Sequence, residues 1–409
     1  MNKLNLGFVG LGGRGLSLMD TCMQMEDVAV TAVCDLYADR VEAAVRQADA
    51  HGHRPKGYAD YHALIDDPRV DAVVASCAWD AHTDVCLYAM RRGKRAASEV
   101  GGAYSLEECW ELVRTSRATG VPVMMLENCC YDYCEQALLH MVRRGMFGEL
   151  VYCTGGYQHC LQEEIGNGYD NRHYRLDNYL HRCCDNYPTH ELGPIAKLLD
   201  IHNGNRFLSL TATASKAVGL HDWIVRHKGA DHPLAAARPA QGDVVTTVIR
   251  CAGGEMICLV LDTTLPRPYS RNARVQGTRG IWMEDKGCGS GFDDQSMLYL
   301  DGMEPADVWQ PFGPYAADPA LNPLWSWYKA EGVRGGHGGM DYLVLRAFVE
   351  SARADKAPPI DVYDMAAWMA VTALTERSIA CGSAPQAFPD FTDGAWMRRR
   401  PHGEGRYDL

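Results

Sequence analysis

Four stretches in the second half of the chain carry polar groups that a core would not tolerate. They are Gly155-Gly156-Tyr157-Gln158-His159, His173-Tyr174-Arg175, Asn186-Tyr187-Pro188-Thr189-His190-Glu191-Leu192-Gly193-Pro194, and Pro266-Arg267-Pro268-Tyr269-Ser270-Arg271. Histidine titrates near neutrality, and tyrosine becomes a usable base when a cation lowers its pKa, so such side chains can move protons and hold a hydroxylated ligand. Each stretch alone reads as a hydrogen-bonded loop; four in one region favour a site.

A different chemistry stands at the start. The apolar run Leu4-Asn5-Leu6-Gly7-Phe8-Val9 ends in Gly10-x-Gly12-x-x-Gly15, with Gly13 and Arg14 inside the motif, and passes into a helical pattern from Leu16 to Met25. This is the strand, glycine turn and helix of a dinucleotide-binding unit. Gly10 makes the tight turn, Gly12 lets backbone approach a diphosphate, and Gly15 packs helix against strand. The helix N-terminus then offers N–H groups and a favourable dipole to the anion. A second β-like run, Val28 to Cys34, ends in Asp35. An acid there accepts ribose hydroxyls and repels a 2′-phosphate, which selects NAD over NADP. No metal is expected: the Cys and His residues form neither a C-x-x-C pair nor a His-x-x-x-His on one helical face. There is also no G-x-S-x-G elbow for a serine nucleophile.

These groups need a scaffold of two parts. Through residue 128 the chain alternates α and β: a helix over Arg40–Ala50, a buried strand over Val70–Ser76, a helix over His82–Arg92, a strand over Lys94–Ser98, and a strand over Val123–Leu126. Ser105 with Glu108 three positions on forms a capping-box pattern. Beyond residue 128, strand-like runs at Leu150–Gly156, Phe207–Ala214, Asp243–Cys251, Met256–Thr263 and Ala273–Gly277 mostly follow without intervening helices, which predicts an antiparallel sheet. Helical patterns at 131–144, 192–199, 340–354 and 365–380 cover it, and residues 286–339 read as loop with little regular structure. The predicted fold is an α/β Rossmann domain over residues 1–128, then an α+β substrate domain over 129–409 with an open, largely antiparallel sheet.

At 409 residues the chain is long enough for two full cores. A net charge of −12 argues against a nucleic-acid surface, and no apolar stretch approaches the ~20 residues of a membrane span. The first strand begins within four residues, leaving no room for a signal peptide, and the adjacent pairs Cys129-Cys130 and Cys183-Cys184 suit reduced thiols. The expected location is the cytoplasm.

Taken together, the glycine turn, Asp35, Trp79-Asp80-Ala81-His82, the Glu99-Val100 strand end and the open sheet resemble the Gfo/Idh/MocA oxidoreductase superfamily. Within it, several strings resemble the NAD-dependent α-N-acetylgalactosaminidases of glycoside hydrolase family 109. They are Glu127-Asn128-Cys129-Cys130-Tyr131-Asp132, Tyr187-Pro188-Thr189-His190, Arg267-Pro268-Tyr269-Ser270-Arg271 with Val275-Gln276-Gly277-Thr278, Gly336-His337-Gly338-Gly339-Met340-Asp341-Tyr342, and Pro389-Asp390-Phe391-Thr392. Ordinary superfamily members carry Glu-Lys-Pro after the fifth strand, with the lysine as acid/base; here the place reads Glu99-Val100-Gly101, as in the glycosidase branch.

The resemblance implies NAD contacts at Gly13, Arg14, Asp35, Trp79, His82, Glu99, Val100 and Asn128. It implies a sugar site at Arg175, Tyr187, Thr189 and Tyr269, with Tyr157 and His190 in the catalytic positions. It further implies transient oxidation at sugar C3, deprotonation at C2, elimination of the C1 group, water addition and re-reduction, the NAD-dependent exception to two-carboxylate glycoside hydrolysis. Three departures border the implied sugar site: Gly101-Gly102 in place of Pro-Ala, Glu191 where the family has glycine, and a shortened 157–175 loop. The expected partners are a small-molecule or glycan substrate and a second copy of the chain paired through the open sheet. Two alternatives stand beside this reading: a sugar dehydrogenase that releases NADH, and a non-catalytic NAD-binding sensor.

Overall fold

The computed structural model describes residues 3–284 and 296–409. The chain opens with β1 (Leu4–Val9), α1 (Gly13–Met23), β2 (Val28–Cys34), α2 (Ala38–Ala50), β3 (Lys56–Tyr58), α3 (Tyr61–Ile65), β4 (Ala72–Ala75), α4 (Trp79–Arg91), β5 (Arg95–Ser98), α5 (Leu106–Thr119) and β6 (Val123–Met125). Their strands form a six-stranded parallel sheet in the order β3-β2-β1-β4-β5-β6. Leu6, Phe8, Val33, Val73 and Val74 are fully buried, as expected where helices cover both faces of a parallel sheet. Ser105 caps α5 by accepting the Glu108 N–H at 3.2 Å, and the helix ends at Gly120 in the left-handed region, the two signals that bound a helix. The strand order reverses between β1 and β4, where open α/β sheets bind ligands beyond the strand carboxyl ends.

The second unit holds α6 (Tyr133–Arg143), β7 (Leu150–Gln158), α7 (Gln162–Gly166), α8 (Arg175–His181), α9 (Thr189–Leu198), β8 (Phe207–Ala214), α10 (Gly219–Lys228), β9 (Val244–Cys251), β10 (Met256–Asp262), β11 (Arg274–Gly277), β12 (Gly280–Met283), β13 (Met297–Leu300), β14 (Gln310–Pro311) and α11 (Gly313–Ala316). Then come α12 (Pro323–Glu331), α13 (Met340–Arg353), α14 (Val362–Ala380) and β15 (Gln386–Ala387). The second sheet has nine strands in the order β14-β13-β12-β11-β7-β10-β9-β8-β15. It is antiparallel except at its centre, where β7 and β10 run parallel. The chain between them, with α7 to α10 and the strands β8 and β9, is the long connection a parallel pair needs.

Two expectations are corrected. The stretch 286–339, read as loop, contains β13, β14, α11 and α12 among its described residues; its first part, 286–295, lies outside them. Those strands are only two to four residues long, too short for a period-2 signal. The second correction concerns residues 129–409, expected as one domain. Residues 327–366 and 401–409 pack with residues 1–132 as one compact unit, and residues 133–326 and 367–400 form the other. The cause is α13, which buries Leu343, Val344, Leu345 and Phe348 and packs on α1 and on the short helix Asn128–Tyr131. Each such side chain contributes about 1.5–3 kcal/mol when buried. Among the described residues no helix is long and apolar enough to cross a membrane, and the cysteines are all free thiols.

Candidate functional site

In the first unit, Gly10 has φ of +91°, and a Cβ there would lie 2.4 Å from the backbone nitrogen of Cys77. Only glycine lets the loops after β1 and β4 approach so closely at the strand-order reversal. A Cβ on Gly15 would stand 2.0 Å from the Gly10 carbonyl oxygen, which is the tight helix-on-strand packing expected of the third glycine. The other two face open space. Nothing lies within 4 Å of a Cβ on Gly13, and Gly12 has only the tip of Arg40 at 3.9 Å. No side chain caps α1. An open glycine edge with an uncapped helix N-terminus is the cradle a dinucleotide diphosphate needs, so these residues fit that group.

Asp35 ends β2 where expected. Its carboxylate accepts the Leu11 N–H at 2.7 Å and the Tyr37 N–H at 3.0 Å, with Arg40 Nη1 at 3.8 Å. It therefore braces the glycine turn and keeps further acceptor capacity, since a carboxylate has about four lone-pair sites. His82 is buried, with Nε2 3.0 Å from the Cys77 carbonyl. Burial pushes its imidazole down to about 4, against the opposing effect of that hydrogen bond, so the ring is neutral. The Trp79 indole lies on Gly101, where a Cβ would come 2.6 Å from Cδ1. Glycine at that departure leaves the ring its place. Val100 is buried and gives its N–H to Glu99 Oε2 at 3.2 Å.

Arg14, which also pairs with Glu99, and Asn128 converge on a residue to which no role was attached from sequence. Arg14 gives Nε to Glu99 Oε1 at 2.9 Å, and Nη1 and Nη2 to the two oxygens of Asp341 at 2.6 and 2.9 Å. Asn128 Nδ2 gives to Asp341 Oδ1 at 2.8 Å. Asp341 and its neighbour His337 lie in one of the strings quoted for the resemblance. Its partner at position 14 is too distant in the chain for any local pattern to connect them.

In the second unit the four polar stretches contribute to one cluster. Tyr157 and His159 stand two apart at the end of β7, so they share a face, and the Tyr157 hydroxyl lies 3.1 Å from His159 Nδ1. A bridge between Gln158 and Ser270 brings the 266–271 loop alongside. It sets the Tyr269 ring 6.2 Å from that of Tyr157 and 5.2 Å from that of His159. His190 enters at the second residue of α9, its ring 5.5 Å from Tyr157 and 4.8 Å from Tyr187. Pro194 in that helix has no N–H for the carbonyl four residues earlier, that of His190. Arg175 opens α8 with its guanidinium 5.2 Å from the Tyr187 ring centre and Nε 3.3 Å from Glu164 Oε1.

Burial disfavours the Arg175 charge, but Tyr157, Tyr174, Glu164 and Tyr187 more than offset it, holding the group well above its ordinary value. His159 is lowered, first by burial, then by Arg175 and His190, with Glu164 opposing. The period-2 spacing from Tyr157 was the signal that could have given His159 a role. Thr189, between Tyr187 and His190 in the chain, is fully buried at the start of α9.

Two families match successive parts of the chain. Residues 4–127 match the family described as an oxidoreductase family with an NAD-binding Rossmann fold, and residues 131–398 match the C-terminal domain of glycosyl hydrolase 109. A glycosyl hydrolase family 109 protein of Stenotrophomonas maltophilia is 38% identical, over 98% of this chain and 91% of its own length. An alpha-N-acetylgalactosaminidase of Tannerella forsythia is 36% identical, over 97% and 88%. Among solved structures, an NAD-binding oxidoreductase from Klebsiella pneumoniae superposes with a TM-score of 0.71 at 19% identity, over 95% of this chain and 99% of its own. An inositol dehydrogenase homologue from Azotobacter vinelandii in complex with NAD+ gives 0.70 at 16%, over 95% and 98%. At these identities the solved structures establish the fold alone.

Proposed function

The chain belongs to glycosyl hydrolase family 109 with an NAD-binding Rossmann domain, and from that premise we propose that it cleaves a glycoside by transient oxidation of the sugar. The first substrates to test are α-N-acetylgalactosaminides, the class named for the Tannerella forsythia relative. NAD, when bound, supplies a hydride acceptor at sugar C3 and returns the hydride at the end of the cycle. The observation that carries the reading is the Tyr157–His159 hydrogen bond inside a ring of Tyr187, His190, Tyr269 and Arg175.

In this reading Tyr157 removes the C2 proton, which a C3 ketone makes acidic. His159, kept neutral by burial, takes the phenol proton at Nδ1, and the Arg175 cation stabilises the phenolate. His190 carries the proton exchange at the C1 leaving group and at the incoming water. Tyr187 and Tyr269 wall the sugar. Asp35 keeps the cofactor as NAD.

The test is turnover of aryl glycosides in D₂O, following phenol release and free NADH together. Deuterium at C2 of the released sugar, with no NADH accumulating, is the expected result. Ordinary hydrogen at C2 at full rate would rule out the elimination route, because an oxocarbenium route leaves that bond untouched. Stoichiometric NADH release would favour the dehydrogenase alternative.

A further inference from the structure

Asp341 is a buried carboxylate at the start of α13. It receives both terminal nitrogens of Arg14 and the side-chain amide of Asn128, and its Oδ2 lies 2.8 Å from His337 Nδ1. Burial alone would raise its carboxyl; His337 and Arg14 together pull it well below the ordinary carboxylate range, so it is ionised and can only accept. Two consequences follow. The Arg14 guanidinium is committed on three sides, to Asp341 through Nη1 and Nη2 and to Glu99 through Nε. The Asn128 amide is fixed in orientation: its Nδ2 must face the acceptor-only carboxylate, so its Oδ1, which takes the Cys129 thiol at 3.6 Å, keeps a second lone pair for a further donor. A pair of parallel N–H···O bonds from arginine sets geometry as well as charge.

We propose that Asp341 is the positioning residue of the NAD site, holding Arg14 and Asn128 so that the Asn128 carbonyl faces a hydroxyl or carboxamide donor of the cofactor. The proposal rests on the reading that Arg14 and Asn128 border bound NAD. It goes beyond the glycine turn and Asp35 by assigning a control of cofactor residence to a segment more than three hundred residues away, in the strained run His337 (φ +50°), Gly338 (φ +64°) and Gly339 (φ +104°). That run turns the chain so that α13 starts with Asp341 one helical turn after His337.

The test uses the full chain and measures NAD dissociation after desalting, with calorimetric Kd, for Asp341→Asn, Arg14→Lys, Asn128→Ala and the double variant Asp341→Asn/Asn128→Ala. Losing a charge-assisted hydrogen bond should weaken NAD by about 10- to 100-fold in Asp341→Asn, with thermal unfolding still cooperative. The double variant should lose less than the sum of the two single losses, since part of the Asp341 effect runs through that amide and the rest through Arg14. Arg14→Lys keeps a charge but loses the two-pronged pairing, and should loosen NAD as well; it decides the matter should Asp341→Asn not fold. Wild-type affinity in Asp341→Asn, or fully additive losses in the double variant, would overturn the proposal. Wild-type affinity in Asn128→Ala would instead overturn the reading beneath it.

Discussion

Glu191 lies against β7 where Gly155 offers no side chain: a Cβ on Gly155 would lie 1.6 Å from Glu191 Cγ. The carboxylate of the side chain in this gap ends 3.7 Å from Arg271 Nη1, and the same nitrogen is 3.4 Å from Glu135 Oε1. All three groups are buried. Glu191 follows His190, Arg271 lies two residues after Tyr269, and Gly155 lies two before Tyr157. The buried charges thus tie together the segments that carry three members of the polar cluster. The departure at position 191 is a structural element of the site.

Gly155→Ala should therefore destabilise the protein by about 1–3 kcal/mol, the usual cost of overpacking, and lower turnover through His190 and Tyr157. On a Glu191→Gly background the same substitution should cost clearly less, because the colliding atoms are gone. Urea unfolding of the four proteins in a double-mutant cycle measures this coupling. Equal costs on both backgrounds would show that Glu191 does not occupy the gap.

How much of this was legible beforehand depends on the range of the interactions. The β1–α1–β2 unit was readable because an apolar run, three glycines and a terminal acid all lie within one supersecondary unit. The strands β7 to β11 showed as strand-like runs, and the start of α5 through the Ser105 capping box. The polar cluster was readable as four stretches, but the pairing of Tyr157 with His159 needed the strand end to be known. Gly155 was quoted only as part of a polar stretch, and no local pattern names Glu191 as the side chain that lies against it. Asp341 could not be given a role, because its partners at Arg14 and Asn128 are set by α13 returning to the first sheet, and no local pattern encodes such a return.

His159→Ala and Tyr157→Phe should each lower turnover on the order of 10²–10⁴-fold if they move one proton as a unit. The double variant should be no slower than the slower single one, since parts of one relay are not additive. Bound NAD should be unchanged in all three. The acid limb of the rate profile should fall below the ordinary imidazole range, because burial, Arg175 and His190 depress His159 against the pull of Glu164. Multiplying losses in the double variant would separate the two residues.

Asp35→Ser removes a carboxylate that accepts two backbone N–H groups of the turn region, from Leu11 and Tyr37. NAD binding should weaken by about 1.5–3 kcal/mol, the range for a hydrogen bond to a charged group, and discrimination against NADP should shrink. The melting temperature should fall with it, because the glycine turn loses its brace. Calorimetric titration with both nucleotides, beside a thermal scan, checks each part. NAD binding as tight as in the parent protein would mean that the turn holds the nucleotide without this acid.

Asp185 sets the expected pH dependence of stability. It is buried two residues before Tyr187, its Oδ1 accepts the Tyr187 N–H at 3.3 Å, and its backbone is held by Thr375 and Thr372. Burial raises its carboxyl from 3.8 to about 7, against the lowering effect of the Tyr187 N–H. Between those values the folded chain keeps a proton that the unfolded chain releases. The unfolded state therefore binds fewer protons, and this group makes stability fall as pH rises from about 4 to about 7, by up to about 1.4 kcal/mol per pH unit. Above 7 its contribution is constant. Asp185→Asn keeps the oxygen that accepts the Tyr187 N–H and removes the titration. The variant should match the parent near pH 4, unfold at higher urea than the parent at pH 8, and lose this component of the slope between. Urea midpoints from pH 4 to 8 measure the difference, and parallel curves for the two proteins would refute a carboxyl that stays protonated in the fold.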